Sequence, residues 1–300
     1  IMTTKKTFQI VKDDPWLAPY HNDIEERANR YTSKITEIKK DFNSIYLFAN
    51  RDQELGFNYD EDKKGWFYRE WAPLAHSLTL IGDFNGWNRS AHKLKKNKYG
   101  VWEIFIADTK EGPVLKHKQL VKVHVISDKG SQDRIPAYIK RVVQNEETYA
   151  FSGQIWQPKK PFKWTEKAFV PAKSPLIYEA HVGMSQEKEA MATYQEFKDN
   201  VLPRIKDLGY NTIQLMAIQE HPYYGSFGYH VSNFFAPSSK FGTPEDLKEL
   251  IQAAHQMGIA VIIDIVHSHA VKNIEEGLND FDGSGHQYFH EGERGNQEQW

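Results

Sequence analysis

The sequence contains no cysteine among its 300 residues, so it can form neither a disulfide framework nor a metal site built from thiolates. Its charges almost cancel, with 38 Lys and Arg against 40 Asp and Glu and a formal net charge of −2. A chain without excess positive charge attracts nucleic acid and anionic membranes only weakly. These absences predict a protein that binds neither, in a reducing compartment.

Long apolar stretches are also missing. No segment approaches the roughly 20 consecutive apolar residues that cross a bilayer, and the first residues, IMTTKKTFQIVKDDPW, lack the apolar core of a signal peptide. We therefore expect a soluble, cytoplasmic protein.

Aromatic residues, in contrast, are abundant, at 13% of the chain with 8 Trp, 15 Tyr and 17 Phe. Many lie beside glycine, asparagine or lysine, as in GDFNGWN and YGVWEIF. A flat ring rimmed by hydrogen-bonding groups suits a sugar, whose C–H face stacks on the ring while its hydroxyls bond. For any single ring, packing in a core is the more common role, so both interpretations stay open.

Changes in pattern divide the first part of the chain into three segments. Residues 1–41 predict proline-rich turns and then a helix across a domain surface, with apolar side chains three to four residues apart at Ile24, Ala28, Tyr31, Ile35 and Ile38. Residues 42–158 predict an antiparallel β-sandwich, because short alternating stretches (WFYREWA, SLTLIGDF, VWEIFIA, LVKVHVIS) are separated by turn sequences. Residues 159–175 are a linker rich in proline and lysine.

Residues 176–300 alternate between strands and helices. LIYEAHVG, NTIQLMAIQ and IAVIIDIV read as strands, and the helix TPEDLKELIQAAHQMG has Thr243 as its N-cap and Gly258 as its stop. Two successive crossovers of this kind predict a parallel sheet. A closed (β/α)₈ TIM barrel takes about 250 residues, so we expect an incomplete barrel whose third strand has an unpaired apolar edge. An open doubly wound sheet is the alternative, although no G-x-G-x-x-G turn follows any of the strands.

The third of these strands runs into the sequence IAVIIDIVHSHAVKN, which brings Asp264, His267 and His269 to its carboxyl end. Ligands bind at that end in parallel barrels and open α/β sheets. Asp264 is expected inside the strand, where a carboxylate must be paired or hydrogen-bonded. Retaining sugar chemistry would need a second carboxylate about 5 Å away, and Glu179 on the first strand is the one candidate partner.

The same histidines raise the question of a metal. His286 and His290 in GSGHQYFHEG are available as further ligands, but the spacing matches no known zinc motif. We therefore predict no metal and no cofactor, and interpret His269 as a hydrogen-bond donor to a bound ligand.

The loop from Gln219 to Gly242 is unusually long and crowded with rings, namely Tyr223, Tyr224, Phe227, Tyr229, Phe234, Phe235 and Phe241. Long loops in compact domains are usually functional. On the ligand-binding face of a barrel this loop would be a stacking platform, and the alternative is an Ω-loop packed on its own side chains.

Through DIVHSH and GYHVSNFFAPSSKFGTPEDLKELIQAAHQMG, the chain resembles the α-amylase superfamily, and more narrowly the eukaryotic-type 1,4-α-glucan (glycogen/starch) branching enzymes. DPWLAPY, EWAP, IGDFNGWN, YEAHVGMS, EHPYYGSFGY and GLNDFDGS extend the resemblance from about Asp13 to the end of the chain. It implies a helical N-terminal segment, a carbohydrate-binding β-sandwich and then the catalytic barrel, in that order.

The resemblance also implies roles for individual residues. Asp264 and His269 would line the subsite that holds the cleaved sugar, and Tyr229 would stack on that sugar. The sandwich positions matching glucan contacts are Trp71, Pro73, Trp87, Tyr99 and Lys122. Relatives usually carry glutamine where this chain has His230.

None of the family's catalytic carboxylates has a counterpart in residues 1–300. The nucleophile follows the fourth strand in a GFRFDG-like motif, the acid/base follows the fifth and a third carboxylate follows the seventh. The resemblance therefore implies the N-terminal part of a glucan transferase, whose partner is an α-1,4-glucan such as glycogen or amylose and which alone is inactive. A glucan-binding module and a hydrolytic relative of debranching or amylase type are the alternatives.

Overall fold

The computed structural model describes residues 8–50, 53–165 and 169–295. Its first compact unit ends at Glu54 and contains helices α1 (Gln9–Asp13), α2 (His21–Phe42) and α3 (Ile45–Ala49), with a 3₁₀ helix at Pro15–Tyr20. Asp14 caps this 3₁₀ helix by accepting a hydrogen bond from the Trp16 N–H. Helix α2 confirms the helical periodicity. Residues 1–7 of the predicted segment lie outside the described residues.

The second unit begins with nine short strands in two antiparallel sheets. They are β1 (Gly56–Asp60), β2 (Gly65–Trp71), β3 (Ser77–Gly82), β4 (Lys95–Lys96), β5 (Val101–Ala107), β6 (Leu120–Ser127), β7 (Gly130–Arg134), β8 (Val142–Gln144) and β9 (Phe151–Gln154). One sheet has the order β1-β2-β5-β4, and the other has the order β3-β6-β9-β8 with β7 also paired to β6. The four alternating stretches of the sequence form β2, β3, β5 and β6, which confirms the sandwich.

A parallel sheet follows, made of β10 (Ile177–Ala180), β11 (Thr212–Leu215) and β14 (Ala260–Ile263) in that order. Between them lie α4 (Tyr194–Glu196), α5 (Leu202–Asp207), the two-stranded ribbon β12 (Gln219–Glu220) and β13 (Asn233–Pro237), and α6 (Pro244–Gln256). This is the start of the predicted barrel. As expected, β14 is an edge strand with exposed apolar side chains: Ile262 and Ile263 are each 41% exposed, and Ile265, two residues beyond the strand, is 52% exposed.

Two elements differ from the sequence prediction. The sequence TYQEFKDNVLPRIKDLG before β11 predicts one helix ended by Gly209, but the structure has a π-helical turn, Phe197–Val201, between α4 and α5. Pro203 in the first turn of α5 has no N–H to donate, and the wider turn accommodates it.

The third strand is also shorter than predicted. It ends at Ile263, so Asp264 follows the strand instead of lying inside it, which corrects our expectation. Only one more ladder bond forms, from the Asp264 N–H to the Leu215 carbonyl at 3.1 Å, because β11 also ends there. Two residues later the Val266 N–H donates instead to the Gln219 side-chain oxygen.

The sandwich core continues into the barrel loops. Ala236 on β13 and Phe281 beyond β14 belong to the same buried apolar cluster as Leu78, Val121 and Val123 of the sandwich. A separate cluster packs α4, α5 and α6 against one face of the parallel sheet through Phe197, Leu215 and Leu250. The loops at the carboxyl ends of the barrel strands are therefore packed between the two domains' cores.

Candidate functional site

Three of the predicted ligand-binding residues meet at the carboxyl end of the parallel sheet. The Tyr229 hydroxyl donates to Asp264 Oδ2 at 2.8 Å, and His269 Nε2 lies 2.7 Å from the Tyr229 carbonyl oxygen. A carbonyl only accepts, so Nε2 carries the proton of this bond. His269 Nδ1 is 2.9 Å from the Ser268 hydroxyl. We name Tyr229, Asp264 and His269 the sheet-end triad.

The electrostatics of this triad keep the tyrosine protonated. Partial burial, and then the hydrogen bond to Asp264, raise the pKa of Tyr229 to about 12. At neutral pH the phenol therefore donates to the carboxylate. For the second carboxylate oxygen, Oδ1, no hydrogen bond is found within the described residues, which leaves an acceptor beside the aromatic ring.

Gly228 fixes the position of Tyr229 on its loop. Its φ of +89° lies in the left-handed region, and a Cβ added there would be 1.8 Å from the Ala217 carbonyl oxygen. Only glycine allows the loop to approach the end of β11 this closely. Beneath the loop, Ala217, Val231 and Val266 form a small buried cluster against which Tyr229 packs.

The aromatic loop divides into buried and exposed rings. Phe241 is fully buried and packs edge-on against His181 and Tyr194, at ring-centroid distances of 5.5 and 5.8 Å. Tyr223, Phe227 and Phe235 are exposed by 66%, 40% and 37%. The loop is therefore packed on its own side chains at one end and still presents rings to solvent.

Sequence reasoning missed a buried carboxylate in this loop. Glu220 is fully buried and accepts hydrogen bonds from the Ser239 N–H at 2.7 Å and the His221 N–H at 3.1 Å. Burial raises the pKa of Glu220 and lowers the pKa of the neighbouring His221 to about 4. The only signal was a charged residue at the end of β12, and its partners were not evident from spacing.

The predicted sandwich residues form two groups. In the first, Trp71, Pro73 and Tyr99 lie together: Trp71 Nε1 donates to the Tyr99 carbonyl at 3.2 Å, and Gly100, with φ +78°, packs on Pro73. Tyr99 is 69% exposed, whereas the Trp71 ring packs edge-on against Tyr288 of the barrel, 5.7 Å between centroids.

In the second group, Trp87 and Lys122 lie along the β3–β6 pair. The Trp87 N–H donates to the Gly82 carbonyl at 2.9 Å and its indole nitrogen to Asp83 Oδ1 at 3.1 Å. Lys122 is paired in register with Ile81, next to Gly82. Trp87 itself has φ +61°, which turns the chain sharply at this position.

The remaining candidates lie outside the triad, although the charge of Glu179 adds to the effects of burial and Asp264 in raising the pKa of Tyr229. Glu179 is level with Gln214 and Ile262 across the sheet, below Asp264, and accepts from Gln214 Nε2 at 3.2 Å. His267 is exposed and faces Phe234, 6.1 Å between ring centroids, and His230, His286 and His290 are also exposed. No group of three or more side chains placed to bind a metal exists in the part of the chain that the structure describes.

A cavity of about 810 Å³ lies beside the open edge of β14 but not at the triad. Its walls are largely apolar and include Trp156, Phe234, Phe235, Ile251, Ile263 and Ile265. Chemistry, and not cavity size, marks the triad as the candidate site. Over residues 8–50, 53–165 and 169–295, no helix has both the length and the apolar character that a membrane crossing needs.

Comparison with known proteins supports both halves of this description. Residues 54–139 match Carbohydrate-binding module 48 (Isoamylase N-terminal domain), and residues 199–298 match the Alpha amylase, catalytic domain. A 1,4-alpha-glucan-branching enzyme of Dictyostelium discoideum is 48% identical over 97% of this chain and 43% of its own length. The 1,4-alpha-glucan-branching enzyme 2-2, chloroplastic/amyloplastic, of Arabidopsis thaliana is 48% identical over 99% of this chain and 36% of its own length.

Among solved structures, the pullulanase from Bacillus acidopullulyticus is similar with a TM-score of 0.63 at 24% identity, over 81% of this chain and 32% of that one. This likeness concerns the fold. The chain thus spans well under half the length of the curated relatives that it matches.

Proposed function

We propose that this chain, which belongs by sequence with the 1,4-alpha-glucan-branching enzymes of the α-amylase superfamily, is the N-terminal part of such an enzyme. The whole protein would cut an α-1,4-glucan and transfer the freed segment to a 6-hydroxyl, forming an α-1,6 branch. The observation that carries the proposal is the sheet-end triad, where an aromatic ring and a carboxylate acceptor are hydrogen-bonded at the ligand-binding end of a barrel.

In the proposed reaction two inverting displacements retain the configuration of the cut bond. A carboxylate nucleophile forms a covalent glycosyl intermediate, and a sugar hydroxyl, instead of water, then takes the segment. The triad's part is to hold the sugar that is cut. The Tyr229 ring stacks on its C–H face, Asp264 accepts from its hydroxyls, and the bond from His269 to the Tyr229 carbonyl sets the height of the ring.

The nucleophile and acid/base belong to segments after the fourth and fifth barrel strands in the family, and residues 1–300 hold no counterpart. We therefore propose that residues 1–300 bind glucan but do not turn it over. In the sandwich, we propose that Trp71, Pro73, Trp87, Tyr99 and Lys122 anchor the polymer, and the bond from Trp71 to the Tyr99 carbonyl supports a shared contact for those two rings.

The partner would be an α-1,4-glucan such as glycogen or amylose, and the protein would act in the cytoplasm without binding nucleic acid or membrane. The near-neutral charge supports the last point. A glucan-binding module and a hydrolase remain the competing functions, and the reaction products separate them.

The first test is the product that the full-length protein makes from amylose. Branching lowers the iodine colour and creates α-1,6 linkages without a matching rise in reducing ends. Hydrolysis raises reducing ends instead, and a pure binding module changes neither. Any turnover by purified residues 1–300 would contradict their assignment as the non-catalytic part.

Variants test the triad within that assay. Tyr229→Phe keeps the ring but removes the bond to Asp264, and we expect about a tenfold loss of kcat/KM, typical of a lost hydrogen bond to a charged group. Tyr210→Phe is the control, because Tyr210 packs on Tyr178 just before β11, at the opposite end of the sheet. Equal activities for the two variants would exclude Tyr229 from the site.

Glycogen in an affinity gel tests the sandwich separately. Trp87→Ala should migrate faster than the unchanged protein, because it loses a stacking ring. Trp164→Ala removes a tryptophan that is 51% exposed in the linker and serves as the control. Unchanged retardation of Trp87→Ala would remove Trp87 from the glucan contacts.

A further inference from the structure

Two buried arginines bracket the sandwich segment between β7 and β8. Arg134 ends β7 and is 1% exposed, and Arg141 precedes β8 and is 9% exposed. Arginine is almost never buried without partners. Both find theirs in the barrel, so the segment from Arg134 to Arg141 reaches out of its own domain.

Arg134 holds the loop beyond β14. Its Nη2 donates to the carbonyl oxygens of Gly277 and Asn279, at 2.8 and 2.7 Å, and its guanidinium lies 5.1 Å from the centroid of the Phe281 ring. Burial lowers its pKa to about 10, so the side chain stays charged at neutral pH and these bonds are charge-assisted.

Arg141 binds the aromatic loop between β11 and α6. Its Nη1 donates to the Gly242 carbonyl at 2.5 Å, at the end of the aromatic loop, and its guanidinium lies 5.0 Å from the Trp156 ring centroid. Between the two arginines, the Tyr138 ring packs on Phe235 of β13, 4.9 Å between centroids. One sandwich segment, Arg134 to Arg141, therefore contacts both the aromatic loop and the loop beyond β14.

Those loops are the ones that carry the triad, and a short path of hydrogen bonds connects the Arg134 contacts to it. Asn279 Nδ2 donates to the Val271 carbonyl at 3.0 Å, and the Val271 N–H donates to the Val231 carbonyl at 2.8 Å. Val271 lies two residues after His269, and Val231 lies two residues after Tyr229. Through this path a shift of the carbonyls that Arg134 binds would reach the bond between His269 and Tyr229.

We propose that Arg134 and Arg141 are positioning residues through which the sandwich sets the geometry of the sheet-end triad. The sandwich would then have a second role besides holding polymer: it braces the sugar subsite. The kinetic part of this inference rests on the proposed function, whereas its structural part does not.

The test compares Arg134→Met and Arg141→Met with Arg69→Met in the full-length gene product. Methionine keeps much of the side-chain volume without the donors. Arg69 is the matched control because it pairs with Glu103 inside the sandwich and lies over the Phe67 ring. Hydrogen–deuterium exchange is followed in residues 225–235 and 264–275, neither of which touches Arg134 or Arg141 through a bond described above.

We expect about tenfold faster exchange in both segments for the two arginine variants, as for the loss of a charge-assisted bond, and no change for Arg69→Met. Exchange equal to the unchanged protein, or an equal effect of Arg69→Met, overturns the proposal. This readout needs no branching activity, so its failure is distinct from a failure of the proposed function.

Kinetics and rescue separate positioning from simple loss of structure. In the branching assay kcat should fall about tenfold while KM changes less than about twofold, because the subsite acts on the sugar being cut whereas the polymer is held elsewhere. Arg134→Lys, which retains a charged donor, should recover part of kcat. An unchanged kcat per folded molecule overturns the proposal that Arg134 and Arg141 position the triad.

If Arg134→Met loses protection throughout the sandwich, Asn279→Ala takes its place. It removes the bond to Val271 without leaving a buried charge. It should raise exchange in residues 264–275, and an unchanged rate there overturns the transmission path.

Discussion

Glu70 is fully buried in the sandwich, and its replacement by glutamine is expected to change how stability depends on pH. Its carboxylate accepts from the Tyr68 hydroxyl at 3.0 Å and the Ala137 N–H at 2.9 Å. Burial outweighs these bonds and raises the pKa of Glu70 from 4.5 to about 7. Between these values the folded protein keeps a proton that the unfolded chain has released, so the free energy of unfolding falls as pH rises through this window.

This rise in the pKa of Glu70 corresponds to about 3 kcal/mol of unfolding free energy, of which about 2.5 kcal/mol is lost between about pH 5 and about pH 8. Glutamine has no such proton to lose. The unfolding free energy of Glu70→Gln, relative to the unchanged protein, should therefore increase by about 2.5 kcal/mol across that range in urea unfolding.

Glu111→Gln, in an exposed turn, controls for the loss of one negative charge. It should leave the pH dependence of the unfolding free energy nearly as it was. The reasoning is refuted if the difference in unfolding free energy between Glu70→Gln and the unchanged protein stays constant from about pH 5 to about pH 8. The Glu70 carboxyl would then have the same pKa in the folded and the unfolded state.

Two further predictions concern stability. Phe241→Ala should lower the free energy of unfolding by about 3–5 kcal/mol in urea unfolding, because the ring is fully buried against His181 and Tyr194. Tyr223→Ala, at a residue of the same loop that is 66% exposed, should lower it by less than about 1 kcal/mol. Equal losses for the two variants would contradict the packing of Phe241. Thr243→Ala removes the side chain that accepts from the Asp246 N–H at the start of α6. Thermal unfolding should show a loss of about 1 kcal/mol in unfolding free energy, which Thr243→Ser should largely restore. An unchanged Tm for Thr243→Ala would mean that this cap does not stabilise the helix.

The sequence predicts well those elements that depend on neighbouring residues. The alternation of β2, β3, β5 and β6 is local, and so is the signal for α6, where Thr243 caps the helix and Gly258 follows it with φ +75°. The order of strands and helices was then enough to predict a parallel sheet with β14 at its edge.

Contacts between distant residues could not be predicted in the same way. The Tyr229 hydroxyl reaches a carboxylate 35 residues away, and Glu70 accepts from an N–H 67 residues away. Family resemblance named Tyr229 and Asp264 as site residues but did not give their bond. The burial of Glu70 and Glu220 could not be predicted, because a glutamate in an alternating or apolar stretch does not reveal whether it faces solvent or a partner.

The packing of Phe281 into the sandwich has a consequence for synthesis on the ribosome. The last sandwich strand, β9, ends at Gln154, and Phe281 is added about 130 residues later, which takes roughly ten seconds at about 5–20 residues per second. Throughout that interval the sandwich core lacks the Phe281 ring, and Arg134 has not yet met the carbonyls that it binds. The sandwich can reach its final core only when the chain has extended past the third barrel strand, so the order of synthesis ties the completion of the first domain to the beginning of the second.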